Sequence, residues 1–201
     1  MIAFAYDVHP KYRLVMASNR DEFYQRPTET AHFWNDHPDV LAGRDMEKMG
    51  TWMGVTKTGR FAAITNYRDT RSEKNLAKSR GGLVGDFLCG KQPPAEYMKK
   101  VQRNRADYNG FNLIVGNETG IYYFSNSGAQ IERLNPGIYG LSNALLDTPW
   151  PKVEKSKKRL ARCLDSKVID PNCLFDLLAD EDKAENAALP NTGVSLEWER
   201  L

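Results

Sequence analysis

The sequence predicts an α+β fold in which antiparallel sheets pack between helices. The first two thirds of the 201-residue chain contain short runs of aromatic and β-branched residues separated by turn residues, which is typical of hairpin strands. From Trp150 onward the apolar residues recur at helical spacing instead. The length suits one domain with a full core, and no repeat or linker divides it, so we expect a single domain over residues 1–201.

The opening residues predict a β-hairpin. Two apolar runs, 2–6 and 13–17, are separated by a turn that contains a proline. Because partners in an antiparallel pair have a constant index sum, pairing of the two runs would place Met1 near Ser18. The residues after Ser18 are then expected to surround the start of the chain.

Further elements follow in order along the chain. Strands are predicted at 50–55, 60–65, 111–116, 120–125, 129–134 and 138–142, the last four as an antiparallel meander, and helices at 79–89, at 94–101, from Pro151 and from Asp170. We expect the polar residues 68–80 to form a mobile loop. The helix from Pro151 is crowded with Lys and Arg, which we interpret as a solvated face, with a surface for an anionic partner as the alternative.

The composition excludes several classes of protein. The net charge is only +2, whereas a nucleic-acid-binding protein is expected to carry a larger and clustered basic excess. No window approaches the ~18 apolar residues that a membrane span needs, and the N-terminus lacks the order of a secretory signal. We therefore predict no nucleic-acid partner and no membrane span.

The cysteines and histidines predict no metal site. Cys89, Cys163 and Cys173 are odd in number and lack C-x-x-C spacing, so we expect free thiols of a reducing compartment and a cytoplasmic location. The histidines lack metal-ligand spacing. We predict neither a metal nor a cofactor.

Four consecutive polar residues are the most informative feature of the chain. Asn19, Arg20, Asp21 and Glu22 place an amide, a guanidinium and two carboxylates directly after the second predicted strand. Functional sites often lie in such places, because a rigid strand aims the side chains. A surface cluster of ion pairs is the alternative interpretation.

Four asparagines near strand ends extend the candidate site. Asn66, Asn109, Asn112 and Asn143 would individually be interpreted as turn or cap residues. Together with the polar residues 19–22 they suggest catalysis, because an amide can donate to an oxyanion and a carboxylate can hold an α-amine as a general base. No Cys, Ser or Thr begins the chain, and no histidine is placed to activate a serine. The residues alone therefore predict a site without a nucleophile.

Several stretches match the motifs of one known family, in order. They are residues 17–27, 41–45, 50–55, 63–67, 108–114 and 139–152. Together they resemble the NRDE family, also called the Transport and Golgi organisation family. The resemblance implies a four-layer αββα sandwich of antiparallel sheets, as in N-terminal-nucleophile hydrolases. In those enzymes residue one is a Cys, Ser or Thr, and its own α-amine serves as the base.

The resemblance also implies roles for the candidate residues. Arg20 and Asp21 would flank the nucleophile, and Asn66 and Asn143 would contact the oxyanion or the substrate amide; these four are the catalytic candidates. The candidates for substrate binding are Asn19, Glu22, Asn109 and Asn112.

The chain departs from the family pattern at both ends. Family members typically begin Met-Cys, whereas this chain begins Met-Ile, so we expect that the start lies two codons late and that this form is inactive. The family also continues beyond the position of Leu201, so we expect an incomplete C-terminal part of the fold.

Two main functions remain open at this point. The first is an amide hydrolase that acts on a small-molecule or acyl substrate. The second is a non-enzymatic carrier or chaperone in haem or acyl-lipid trafficking, for which the candidate iron ligands are His9, His32, His37, Met16, Cys89 and the many tyrosines. A third option is an interaction module that uses the basic helix. The sequence leaves the substrate and the oligomeric state open.

Overall fold

The computed structural model describes residues 1–68, 77–128, 130–182, 184–186 and 189–199. These residues form two compact units, the first comprising 1–21, 68 and 135–199 and the second comprising 22–67 and 77–134. The single domain over 1–201 stays a prediction. Most of the predicted mobile loop at 68–80, its residues 69–76, lies outside the described residues.

Strands and helices alternate in groups along the chain. The strands are β1 Ile2–Tyr6, β2 Leu14–Ser18, β3 Thr28–Phe33, β4 Val40–Asp45, β5 Met53–Thr56, β6 Phe61–Asn66, β7 Phe111–Asn117, β8 Gly120–Ser125, β9 Glu132–Arg133 and β10 Gly137–Leu141. The helices are α1 Gly81–Cys89, α2 Pro94–Arg103, α3 Pro151–Leu164, α4 Pro171–Leu178 and α5 Leu196–Glu199, with a 3₁₀ turn at Arg105–Asp107.

The first unit is a three-stranded antiparallel sheet, in the order β10-β1-β2, with α3 and α4 packed on one face. Ala3 and Ala5 of β1 and Ala17 of β2 are buried against Leu160 of α3 and Leu177 of α4. These small side chains let the helices approach the sheet closely, and burial of the leucines stabilises the contact.

The second unit is a seven-stranded antiparallel sheet, in the order β3-β4-β5-β6-β7-β8-β9. Helices α1 and α2 pack on one face, and their core side chains Val84, Phe87 and Met98 are fully buried. The hydroxyl of Tyr97 in α2 donates to the carbonyl of Leu83 in α1 at 2.6 Å, which links the two helices. This unit therefore has its own core.

The opening hairpin forms as predicted, but its register differs by one residue. Ile2 lies opposite Ser18, so Met1 aligns with Asn19 instead of Ser18. The turn explains the difference, because Asp7 adopts a left-handed conformation (φ 52°) and its N–H donates to the Arg13 carbonyl at 2.8 Å. The hairpin therefore closes at Asp7 and Arg13.

The predicted meander is correct only for β7, β8 and β9. Strand β10 pairs with β1 in the first unit instead. Strand β9 comprises only two residues of the predicted strand 129–134. Ala129, the first residue of that predicted strand, lies outside the described residues. Strands β3 and β4 were not predicted. Every residue of β3 except the half-buried His32 is exposed, so the strand shows no apolar alternation.

Two cysteines contradict the expectation of free thiols. Cys163 near the end of α3 and Cys173 in the first turn of α4 form a disulfide, and only Cys89 is free. The packing of α3 against α4 brings the Cα atoms of Cys163 and Cys173 to 5.9 Å, within the range that a disulfide requires. Sequence spacing could not reveal this contact between two helices.

Within the part of the chain that the structure describes, no helix combines the length and the apolar character that crossing a membrane requires.

Candidate active site

The start of the chain lies between the ends of two strands. Met1 directly precedes β1, the central strand of the first unit, where Ile2 pairs with Ser18 of β2 and with Leu141 of β10. The N–H of Asn19 donates to the Met1 carbonyl at 3.0 Å. The segments that follow β2 and β10 therefore flank residue one.

The α-amine of Met1 has two oxygen partners. It donates to the Asn19 carbonyl at 3.3 Å and to Oδ2 of Asp21 at 3.4 Å. Burial lowers the pKa of this amine below its ordinary value of 8.0, the negative charge of Asp21 opposes that shift, and the positive charge of Lys152 adds to it. The amine therefore loses its proton more readily than an exposed one, as a general base must.

Lys152 supplies a second perturbed cation. Burial is the main cause that lowers its pKa from the ordinary 10.5, and the charge of Arg68 lowers it further, whereas Asp21 and Glu199 raise it. Sequence reasoning missed this residue, because it was assigned to a solvated basic face. A signal was available: Pro151 begins α3, so Lys152 lies in the first turn, where the helix dipole disfavours a positive charge.

A polar network links three segments of the first unit. The Arg68 N–H donates to the Asn143 carbonyl at 2.7 Å, and its Nη2 lies 3.5 Å from Oδ1 of Asn143. Nη1 of Arg68 forms an ion pair with Oε2 of Glu199 at 3.3 Å, and the Glu199 side chain is only 3% exposed. Neither Arg68 nor Glu199 was predicted as a site residue.

A cavity of about 630 Å³ opens beside residue one. Its polar lining includes Met1, Asn19, Asp21, Lys152 and Glu199, and its apolar lining includes Trp150, Leu177, Leu178, Leu189 and Pro190. This volume suits a small-molecule ligand, and the mixed lining is typical of sites that orient a mostly apolar molecule.

Three predicted site residues lie around the chain start. Asp21 contacts the α-amine, and Asn19 contributes its carbonyl, while its side-chain amide donates to the Leu178 carbonyl at 2.9 Å. Asn143 lies two residues past Leu141, at the end of β10 that is nearest to Met1. Arg20 belongs to the same unit and is half-buried.

The other four predicted residues belong to the second unit. Glu22 lies 3.8 Å from Arg26 as an ion pair, and Asn66 is exposed at the end of β6. The backbone carbonyl of Asn109 accepts from the side chain of Asn126 at 3.2 Å. The roles assigned to these residues stay predictions.

Asn112, the last of these four, lies inside the sheet. It is 0% exposed, its amide donates to Oγ1 of Thr65 at 3.1 Å, and its carbonyl oxygen accepts from the Tyr123 hydroxyl at 2.9 Å. Its side chain thus connects three adjacent strands. The substrate-binding role predicted for it also stays a prediction.

None of the candidate haem ligands, the tyrosines included, lines the cavity beside Met1. His9, for example, has one ring nitrogen 3.0 Å from the Ser166 carbonyl, and its other nitrogen accepts from the N–H groups of Lys11 and Tyr12. Among the described residues, no group of three or more His, Cys, Asp and Glu side chains is arranged to hold a metal ion.

Comparisons with known proteins find a matching family and several relatives. A family model described as Transport and Golgi organisation 2 matches residues 1–201. Homologues of that name from Mus musculus and Homo sapiens are both 38% identical over 208 residues, covering 96% of this chain and 75% of theirs. The Bos taurus homologue is 46% identical over 166 residues, covering 76% of this chain and 60% of its own.

A solved structure shows the fold. The Caenorhabditis elegans ortholog of N-acylethanolamine-hydrolyzing acid amidase matches with a TM-score of 0.59 over 89% of this chain and 85% of its own, at 12% identity. Its fold is that of an N-terminal-nucleophile hydrolase, so the predicted fold class is confirmed.

Proposed function

The chain belongs to the Transport and Golgi organisation 2 family, and from this premise we propose that its first unit carries an amide-hydrolase site of the N-terminal-nucleophile type. The observation that carries the proposal is the α-amine of residue one. It has a lowered pKa, lies 3.4 Å from the carboxylate of Asp21 and lines a cavity of small-molecule size.

The proposed chemistry uses residue one as both nucleophile and base. When residue one is a cysteine, the α-amine takes the thiol proton and the sulfur attacks the carbonyl carbon of the amide. The C–N bond then breaks, and the ammonium returns the proton to the leaving nitrogen. Water hydrolyses the thioester with the same amine as base, which releases a carboxylic acid and restores the thiol.

The surrounding residues have positioning and electrostatic roles in this proposal. Asp21 holds the amine in place, and Asn143, which follows the end of β10 nearest to Met1, keeps the oxyanion role that the family resemblance implies. Asn19 fixes the cavity wall by donating to the Leu178 carbonyl. A residue one without a nucleophilic atom would leave the proposed site able to bind the substrate and unable to cleave it.

The substrate class is an amide with an apolar acyl group. Trp150, Leu177, Leu178 and Leu189 contribute apolar side chains to the lining of the cavity. The amidase of similar fold is named for the hydrolysis of N-acylethanolamines, which are amides of this kind. The fold is shared at low identity, so the lining of the cavity in this chain is the main support.

An acyl-lipid carrier is the second candidate. The same apolar lining favours it. A carrier binds the acyl group equally tightly with and without a nucleophile at residue one, whereas a hydrolase requires the nucleophile for turnover.

The decisive experiment places a cysteine at residue one. Met1→Cys, produced with a leader that a protease removes to expose the α-amine, is assayed on fluorogenic acyl amides of increasing chain length. Met1→Ala, which keeps the amine, is the control. We expect iodoacetamide to label residue one, located by peptide mapping because Cys89 also reacts, and we expect turnover only in Met1→Cys. A residue-one thiol that is inert to iodoacetamide and to every substrate contradicts the proposal, and acyl binding without turnover favours the carrier.

A further inference from the structure

We propose that Lys152 forms an imine with an aldehyde that carries an apolar chain, so that the cavity beside Met1 is also a binding site for such aldehydes. The nitrogen Nζ of neutral Lys152 attacks the carbonyl carbon to give a carbinolamine. The former carbonyl oxygen then leaves as water with both hydrogens of the amine, and the C=N bond forms without any oxidant or reductant. This reaction goes beyond the amide hydrolysis proposed above, because it requires no nucleophilic side chain at residue one.

The first step is the position of Lys152 at the wall of the cavity. Lys152 is the second residue of α3, and it lines the cavity together with Trp150 and Pro151. Its Nζ lies 5.7 Å from the ring centroid of Trp150. Its carbonyl accepts from Oγ of Ser156, a buried residue that lines the same cavity, at 2.6 Å. The first turn of α3 therefore presents the amine beside an apolar ring of the wall.

The second step is the environment of this amine, which favours its neutral and nucleophilic form. Lys152 is half-buried, and burial disfavours an ammonium, as does the first turn of a helix. Two further positive charges, those of the Met1 α-amine and of Arg68, interact with it. Burial and the charge of Arg68 lower the pKa of Lys152 below the ordinary 10.5, although Asp21 and Glu199 oppose this shift. Lysines that form imines with carbonyl compounds are desolvated or lie next to another cation in this way.

The third step is the contrast with Lys155, which lines the same cavity in the opposite environment. Its Nζ forms ion pairs with Oδ2 of Asp180 at 2.7 Å and with Oδ2 of Asp182 at 2.5 Å. Hydrogen bonds to these carboxylates raise the pKa of Lys155, so its amine stays protonated and has no electron pair for attack on a carbonyl. The cavity thus offers a matched comparison between a lysine suited to imine formation and one that is not.

The lining of the cavity indicates the class of aldehyde. Leu177, Leu178 and Leu189 contribute apolar side chains to a volume of about 630 Å³. A chain of several carbons is stabilised by contact with such side chains, whereas a short aldehyde gains little. An aldehyde is also uncharged, so it adds no charge beside the carboxylates of Asp21 and Glu199. We therefore expect medium-chain aldehydes to react at Lys152 in preference to short ones.

Reductive trapping tests this inference on the unmodified chain. The protein is incubated with octanal and cyanoborohydride, which converts an imine into a stable secondary amine, and peptide mapping by mass spectrometry gives the labelling rate of each lysine and of the Met1 α-amine. We expect Lys152 to be labelled at least about tenfold faster than Lys155 and the exposed Lys158, because the cavity holds the aldehyde beside its amine. This preference should be smaller with propanal. An excess of 1-octanol, which has the same chain without a carbonyl, should slow the labelling of Lys152 and not that of Lys158.

The chain unfolded in urea is the control, since its lysines have equivalent surroundings and should all be labelled at similar rates. If Lys152 in the folded chain is labelled no faster than Lys155 or Lys158, or if only the α-amine of Met1 reacts, the inference is wrong. Equal preference for Lys152 with octanal and propanal also overturns it, because the cavity then plays no part. None of these outcomes depends on amide hydrolysis, which the Met1→Cys experiment tests separately.

Discussion

The carboxylate of Asp21 accepts a hydrogen bond from the α-amine of Met1 across 3.4 Å, although 20 positions separate the two residues in the chain. The hairpin of β1 and β2 produces this contact, because its register places Met1 opposite Asn19. An α-amine and a carboxylate are thus brought together by local folding alone. The proposed function depends on this contact, and the stability of the surrounding unit determines whether it forms.

Replacing the half-buried cation Lys152 should stabilise the protein. The pKa of Lys152 in the folded state lies below the ordinary 10.5. Between these two pKa values the unfolded chain binds more protons than the folded chain, so the stability of the wild-type chain rises with pH. We expect Lys152→Met to raise the free energy of unfolding at pH 7 by about 1 kcal/mol. The difference from wild type should narrow as the pH approaches 10.5. Urea titrations across this range measure it.

Lys158→Met is the matched control on the same helix, since Lys158 is exposed. It should change stability by less than about 0.5 kcal/mol at every pH. A loss of stability in Lys152→Met at neutral pH would show that the interactions of the Lys152 ammonium outweigh its lost solvation.

Reduction of the Cys163–Cys173 disulfide should lower the melting temperature. The bridge closes a short loop, with a sequence separation of 10, and links α3 to α4. We expect its loss to cost about 2–3 kcal/mol, which corresponds to a decrease of about 5–10 °C for a chain of this size. Calorimetric scans with and without a phosphine reductant measure the shift.

The cysteine variants separate this effect from other thiol chemistry. The double variant Cys163→Ala/Cys173→Ala should melt at the lower temperature with and without the reductant. The melting temperature of Cys89→Ala should still decrease when the reductant is added. An identical melting temperature of the wild-type chain under both conditions would mean that no bridge forms in solution.

A side chain at Gly140 should separate α3 from the sheet. A Cβ at this position would lie 2.7 Å from Cγ1 of Val153, which is fully buried and stiff because it is β-branched. We expect Gly140→Ala to lower the free energy of unfolding by about 1–3 kcal/mol. Gly82→Ala in α1 meets nothing within 4 Å and should be neutral or stabilising by up to about 1 kcal/mol. Equal effects of the two variants in chemical denaturation would contradict the close approach of α3.

Truncation of Asn112 should be destabilising even without a ligand. Its side chain accepts from the Tyr123 hydroxyl and donates to Thr65 inside the sheet. Removing these partners from buried groups should cost about 2 kcal/mol in Asn112→Ala, measured by urea unfolding. Asn35→Ala, at an exposed position, should cost less than about 0.5 kcal/mol. If Asn112→Ala is as stable as wild type but loses ligand binding, the substrate-binding role is favoured instead.

The sequence predicts local structure well and contacts between distant segments poorly. The hairpins β1–β2, β5–β6 and β7–β8 were predicted because each joins neighbouring apolar runs across a short turn. Strand β3 was missed because its side chains are almost all exposed, and β10 was placed in the wrong sheet because its partner lies at the start of the chain. Pairing across such a distance leaves no local pattern.

In the candidate site, too, local contacts were predicted and contacts between distant segments were not. Asp21 was placed beside residue one from the hairpin alone, whereas Arg68, Lys152 and Glu199 come together only through tertiary packing. Lys152 was the one residue with a local signal, a positive charge in the first turn of a helix. The disulfide has no local signal in the sequence, because its formation depends on how α3 packs against α4.

The most direct test of the central claim is a pH titration of the α-amine at residue one. The pH dependence of its acetylation rate, followed by mass spectrometry of the N-terminal peptide, gives its pKa in the wild-type chain, in Asp21→Asn and in the control Asp39→Asn. Burial lowers this pKa and Asp21 partly restores it, so we expect a value below 8.0 in the wild-type chain and in Asp39→Asn, and a lower one in Asp21→Asn. A wild-type pKa at or above 8.0 that the Asp21 substitution leaves unchanged would contradict the account.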